Sequence, residues 1–139
     1  MKIREFLFEQ DYEEIRMLWE ASGPGIQLSP SDTPEEIQKK LQRDPDLFIV
    51  AERDGQIIGT VFGGFDGRRG IVYHLAVLQG ERRSGIGRSL MVEIENRLRS
   101  KGCRKYYLLV TKDNEEAMVF YESFGAEVMD LYVLGKVIQ

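Results

Sequence analysis

Cysteine and histidine occur once each in the 139 residues, as Cys103 and His74. A single cysteine excludes an intrachain disulfide and a thiolate metal cluster. Lying beside an expected helix end, Cys103 reads as a small core residue before it reads as a reactive thiol. One histidine and one cysteine, 29 positions apart, form no clustered ligand set, so no metal is expected. No serine sits in a nucleophile elbow, which removes a Ser-His-Asp hydrolase. No stretch approaches the roughly 20 consecutive apolar residues of a spanning helix, so no membrane role is expected. Met1-Lys2-Ile3-Arg4-Glu5 leads into acidic, alternating sequence and not into a signal-peptide core; a cytoplasmic location is the expectation. Four prolines and 14 glycines are too few for a collagenous or disordered chain,.

What the chain does contain is 42% hydrophobic and 30% charged residues, enough for a single domain over residues 1–139 with a sizeable core. The net charge of −4 conceals a division. Residues 1–67 carry a net −7, residues 68–105 a net +7, and residues 106–139 a net −4. The basic middle suits a locally bound phosphorylated small molecule. The acidic flanks argue against duplex nucleic acid.

Lys2 to Phe6 alternates as a short strand. Asp11 is read as the cap of a helix carrying Tyr12, Ile15, Leu18 and Trp19 on one side. Ser22-Gly23-Pro24-Gly25 stops it, and Thr33-Pro34-Glu35-Glu36 starts a second helix that ends near Asp44-Pro45. Leu47 to Glu52 and Gln56 to Phe62 flank Asp54-Gly55, a strong hairpin signal. Gly63 and Gly64 suggest a bulge or close approach. Ile71 to Val77 adds a third strand to this meander. Ile86, Leu90, Ile94 and Leu98 give the next helix an apolar stripe. Tyr106 to Val110 then forms a strand, Asn114 to Phe124 a helix, and Val128–Met129 with Leu131–Val137 a closing hairpin about Asp130. The order β-α-α-β-β-β-α-β-α-β-β implies an α+β domain with a mixed sheet.

The most informative stretch runs from Leu75 to Arg88. It sets Arg82, Gly85 and Gly87 in an Arg-x-x-Gly-x-Gly arrangement between a strand and an amphipathic helix. Glycines let the backbone approach an anion, and first-turn N–H groups are free donors at the positive end of the helix. Arg82, Arg83 and Arg88 add charge. No Lys-Ser/Thr pair follows, so this is no Walker loop, and the spacing lacks the first glycine of a dinucleotide fingerprint. By these residues alone, an ordinary helix start with a tight glycine turn fits equally well.

Leu75-Ala76-Val77 followed by Arg82 to Gly87 resembles the first signature of the GNAT superfamily of acetyl-CoA-dependent N-acetyltransferases. Asn114 and Phe120-Tyr121-Glu122-Ser123-Phe124-Gly125-Ala126 resemble its second. Ala126 stands where an aromatic is commoner, a departure that concerns packing more than chemistry. The resemblance covers the whole chain in element order and is closest to small single-domain bacterial members. It implies a GNAT-like fold, a mixed twisted sheet of about seven strands flanked by four helices. It also implies that the amides of Arg83, Ser84, Gly85, Gly87 and Arg88 wrap the diphosphate of acetyl-CoA behind Arg82. The pantetheine arm would lie between splayed strands, Tyr73 to Val77 and Tyr106 to Val110, bonding to the backbone at Leu75 and Val77. Asn114 would touch the arm and Tyr121 would protonate the departing thiolate. Core packing for Tyr121 and helix capping for Asn114 are the bland alternatives.

An imidazole suits deprotonation of an amine, which makes His74 the favoured base. A half-buried structural histidine, or a water chain ending on Glu52, Glu20 or Tyr73, is the alternative. Alternation puts His74 on the face opposite Tyr73 and Leu75. The resemblance implies an acceptor pocket formed by the first two helices, the Ser22 to Asp32 loop and the last hairpin. The acidic N-terminal third favours a cationic small-molecule or peptide amine. The resemblance therefore implies direct acetyl transfer from acetyl-CoA to an amine. A non-catalytic acyl-CoA-binding or sensor module is the rival reading, and Leu131 to Leu134 leaves a homodimer open.

Overall fold

The computed structural model describes residues 1–139 apart from the side chain of Pro24. Four helices and five strands follow the expected order as far as the last helix. The strands are β1 (Lys2–Glu5), β2 (Phe48–Arg53), β3 (Gln56–Phe65), β4 (Gly70–Val77) and β5 (Tyr106–Leu108). The helices are α1 (Phe8–Ala21), α2 (Pro34–Arg43), α3 (Ile86–Ser100) and α4 (Glu115–Ser123). The sheet runs β1-β2-β3-β4-β5, antiparallel except for the parallel β4–β5 pair. This is the mixed α+β sheet read from the sequence.

Apolar residues fill both faces. Tyr12, Ile15, Trp19, Ile37, Phe48 and Phe62 pack beneath α1 and α2. Ile49, Ile58, Val61, Ile86, Leu90 and Ile94 pack beneath α3. The two sets alternate along β2 and β3, as a sheet covered on both sides requires. Asp54 and Gly55 both take positive φ, 53° and 77°, the conformation a two-residue hairpin turn demands.

Several details differ from the expectation. The helix α1 begins at Phe8, so Asp11 is not its N-cap residue. Its carboxylate instead accepts from the Leu7 N–H at 2.8 Å and from Arg4 at 2.7 and 2.9 Å. Gly63 and Gly64 pair regularly with Val72 and Ile71, and the register breaks lie at Ala51/Glu52 and Thr60/Phe62. The expected close approach is present at Gly63, where a Cβ would stand 3.3 Å from the Ile71 carbonyl oxygen, and a tighter one occurs at Gly59, where a Cβ would stand 2.9 Å from Leu90 and 3.0 Å from Ile86.

The closing hairpin is a correction. Residues 126–139 form no strand among those described, and the sheet has five strands against about seven expected. Val128, Leu131, Val133 and Leu134 are all exposed. The apolar pattern is present, but no Gly or Asn sits at Asp130 to set a tight turn, and register in a hairpin is fixed by its turn.

Candidate active site

The break in β4 builds the site. Thr60 faces Ala76 and Phe62 faces Tyr73, so His74 and Leu75 together oppose Val61. His74 takes φ 47°, and this bulge sends two successive side chains to one face. Both Tyr73 and His74 therefore lie against Phe62, with ring centroids at 5.1 and 5.3 Å. Strict alternation had placed them on opposite faces; the bulge overturns that reading.

Beyond the bulge β4 leaves β5. The parallel pairing covers only Gly70↔Tyr106, Ile71↔Tyr107 and Val72↔Leu108. The Leu78 N–H donates to the Ile58 carbonyl at 2.8 Å, so alternation turns the backbone groups of Val77 and Leu75 away from β3, towards the gap. A cavity of about 630 Å³ occupies it. His74, Leu75, Val77, Arg82, Arg83, Gly85, Gly87, Arg88, Asn114 and Tyr121 line it. Ser84, the remaining residue assigned from sequence, does not; its hydroxyl donates to the Glu81 carbonyl on the turn before α3.

The turn leading into α3 is shaped for an anion. Arg83 and Gly85 have φ of 66° and 86°, and Gly85 caps α3 without a side chain. Among the described residues the N–H groups of Arg83, Ser84, Gly85, Ile86, Gly87 and Arg88 donate to no protein acceptor. They form a run of free donors at the helix's positive end. Arg82 Nε donates to the Val77 carbonyl at 3.4 Å, and the Arg88 guanidinium lies 5.2 Å from the Phe124 ring centre.

Asn114 Oδ1 accepts from the Ala117 N–H at 3.1 Å, so capping of α4 is one of its uses. Its Nδ2 faces Gly25, where a Cβ would come within 2.5 Å. Ser22, Gly25 and Ile26 thus bring the α1–α2 connection over the cavity, a contact that glycine content alone did not reveal. Tyr121 lines the same space, and its hydroxyl donates to no protein group among the described residues. Burial pushes its pKa up to about 12. The expected wall from a final hairpin is missing because that hairpin is not formed.

His74 is held by its surroundings. Its ring meets Trp19 edge-on at 5.2 Å, and Nε2 lies 3.0 Å from Asp32 Oδ1. No group of three or more His, Cys, Asp or Glu residues suited to a metal occurs among the described residues. No described helix is long and apolar enough to cross a membrane.

Comparison with known proteins agrees with this geometry. Residues 9–126 match the acetyltransferase (GNAT) family. The chain is 42% identical over 137 residues to an acetyltransferase of Pectobacterium atrosepticum, covering 98% of this chain and 94% of that protein. Among solved structures, the PaiA N-acetyltransferase of Thermoplasma acidophilum in complex with coenzyme A superimposes with a TM-score of 0.81. It is 22% identical, over 94% of this chain and 92% of that one. Ard1 from Thermoplasma volcanium gives 0.78 at 26% identity, over 89% and 80%. These matches carry acetyl transfer forward in preference to a binding-only module. With a bulged strand, a splayed pair and a glycine-turned helix start in one chain, the protein belongs to the GNAT family and is an acetyltransferase.

Proposed function

We propose that the protein transfers the acetyl group of acetyl-CoA directly to a primary amine within a ternary complex. The observation that carries this is the run of amides from Arg83 to Arg88 with no protein acceptor, of which Arg83, Gly85, Gly87 and Arg88 line the cavity in the gap between β4 and β5. Linked phosphates suit those donors and Arg82, and an extended amide-bearing arm suits the strand edge at Leu75 and Val77 that β5 leaves unpaired,. When bound, acetyl-CoA supplies an acetyl group activated as a thioester.

The chain's residues supply the rest. A backbone N–H near Val77 holds negative charge on the carbonyl oxygen. Asn114 uses its Oδ1 for the helix cap and keeps Nδ2 for the arm. Tyr121 donates to sulfur as the C–S bond breaks. With a pKa pushed up to about 12 it keeps its proton at neutral pH, so a hydrogen bond to the developing thiolate precedes transfer. His74 accepts a proton from the ammonium form of the acceptor. As the N–C bond forms, the nitrogen gives up two protons in all. One leaves through His74 to solvent; the other replaces the proton Tyr121 delivers to sulfur.

The acidic N-terminal third favours a cationic small-molecule or peptide amine,. Exposed Val128, Leu131, Val133 and Leu134 support self-association as a homodimer,. The test is calorimetric titration with acetyl-CoA, followed by thiol release over a panel of amines. Micromolar binding with amine-dependent thiol release is the expected result. Failure to bind coenzyme A at millimolar concentration overturns the reading, and binding without release for any amine overturns its catalytic part.

A further inference from the structure

Asp32 lies outside the motifs that define the site, yet it is the one charged side chain within hydrogen-bond distance of the protein's only histidine among the described residues. It ends a short turn, Pro30–Asp32, in the connection between α1 and α2. Its Oδ2 accepts from the Ser29 N–H at 3.0 Å, closing a capping box, and its carbonyl accepts from the Tyr12 hydroxyl at 3.3 Å. Oδ1 is left for His74 Nε2, at 3.0 Å. The two side chains are only 9% and 17% exposed, respectively. Trp19 and Phe62 fix the ring from α1 and β3, in edge-on contacts at 70° and 86°. The imidazole has little rotational freedom left.

We propose that Asp32 is a positioning residue for the acetyl-transfer reaction: it holds His74 in the tautomer protonated at Nε2 and so leaves Nδ1 as the nitrogen that takes the acceptor's proton. The inference rests on the reading of His74 as the base. A carboxylate can only accept, so a neutral imidazole bonded to it must donate from Nε2. Nδ1 then carries the lone pair and has no protein partner among the described residues. When the ammonium of the acceptor loses its proton to Nδ1, the resulting imidazolium faces the Asp32 carboxylate, which stays ionised throughout. Burial works against that ionisation, but the hydrogen bonds from His74 and the Ser29 amide outweigh it and hold the carboxyl below its ordinary value. The neighbouring titratable groups are Tyr12, on the Asp32 carbonyl, Tyr73, stacked on Phe62, and Lys40, whose ammonium lies 5.9 Å from the centre of the same Phe62 ring. None of them bonds to the imidazole. Because Asp32 belongs to the α1–α2 connection, which also contributes Ser22, Gly25 and Ile26 to the cavity, orientation of the base depends on that connection being seated.

A sole histidine makes the test direct, since the imidazole ¹⁵N signals have one origin. In the wild-type protein with its imidazole in the neutral form, proton-coupled ¹⁵N spectra should show Nε2 protonated and Nδ1 bare. Asp32→Asn keeps an acceptor for the Ser29 amide but turns an NH₂ towards His74. It should move the proton to Nδ1 and lower kcat about 100-fold, with the KM for acetyl-CoA within twofold of wild type. A neutral wild-type imidazole protonated at Nδ1 and bare at Nε2 overturns the proposal without any variant. An Asp32→Asn protein with the parental tautomer and kcat overturns it as well. Failure of the underlying reading shows separately: His74→Ala turning over at the parental rate removes the base and the catalytic half of the inference, whatever the spectra report.

Discussion

At the site, Tyr121 is divided between packing and chemistry. It lies in T-shaped contact with Phe120, ring centres 5.2 Å apart, and its hydroxyl has no protein partner among the described residues. Burial raises its pKa to about 12, so the phenol stays protonated across the working range. Tyr121→Phe keeps the ring and removes the donor. The expected outcome is a kcat about 100-fold lower with thermal stability little changed, read by thiol release and thermal denaturation. In the wild type, no alkaline loss of rate attributable to Tyr121 should appear below about pH 11, because a raised pKa postpones deprotonation. Asn114 and Gly25 form a second pair. A methyl at Gly25 would displace the Asn114 amide, whose flexible end can yield. Gly25→Ala should therefore lower stability by no more than the α4 cap contributes, about 0.5–2 kcal/mol, while weakening coenzyme A binding several-fold by calorimetry. Equal binding by Gly25→Ala and wild type would remove Asn114 Nδ2 from the coenzyme site. Asp11 shows the opposite balance, structure without chemistry. Burial raises its pKa, yet the Arg4 and Leu7 hydrogen bonds outweigh that and leave it lowered. A carboxylate with a depressed folded pKa stabilises above its unfolded value near 3.8 and loses that contribution as pH falls through the folded value. Asp11→Asn should cost about 3 kcal/mol at pH 7, the low end for breaking a buried pair because Glu52 still faces Arg4,. The gap from wild type in denaturant unfolding should close below pH 4.

Among the elements, the contact of α3 with β3 links stability to binding. Gly59 lets Leu90 and Ile86 approach the strand, and the Ala76 carbonyl would lie 3.2 Å from an added Cβ. Ile86 follows Gly85, the cap of the helix whose N-terminus opens to the cavity. Gly59→Ala should cost about 1–3 kcal/mol by overpacking and also weaken coenzyme A binding, measured by thermal denaturation and calorimetry on the same sample. A destabilised variant with intact affinity would separate the two. Elements of this kind were legible where one local signal sufficed. The four-residue stripe from Ile86 to Leu98 identified α3, Asp54-Gly55 identified the hairpin, and Thr33-Pro34 identified the start of α2. The Arg82–Gly87 spacing located the anion turn for the same reason. What could not be read depends on two segments at once. The β4 bulge arises from its register against β3, so His74's face was misassigned. The Gly25–Asn114 and Asp32–His74 contacts join residues 89 and 42 positions apart, and neither residue pattern announces its partner. The C-terminal segment has strand-like composition but lacks the turn that would set its register,.

On the scale of the whole molecule, charge is arranged by region more than by pair. The acidic N-terminal half, residues 1–67, and the acidic C-terminal segment flank a middle of net +7 that carries both the turn into α3 and all three of the cavity's arginines. Arg82, Arg83 and Arg88 are exposed, so their attraction for a polyphosphate acts through solvent and is open to screening. The N–H groups at the start of α3 act at contact distance and are screened less. Coenzyme A binding should therefore have a salt-sensitive part and a salt-resistant part. Between 0.1 M and 1 M salt the screening length falls from about 10 Å to about 3 Å; over that range the Kd should rise roughly tenfold, chiefly through a slower association rate. Arg82→Gln combined with Arg83→Gln should weaken binding at low salt and flatten that dependence, while Gly87→Val, which would press a side chain towards Phe120 and Val77, should weaken binding at every salt concentration alike. Stopped-flow association at four ionic strengths separates the two contributions. A salt dependence identical in wild type and the double glutamine variant would show that the basic middle of the chain does not steer the coenzyme.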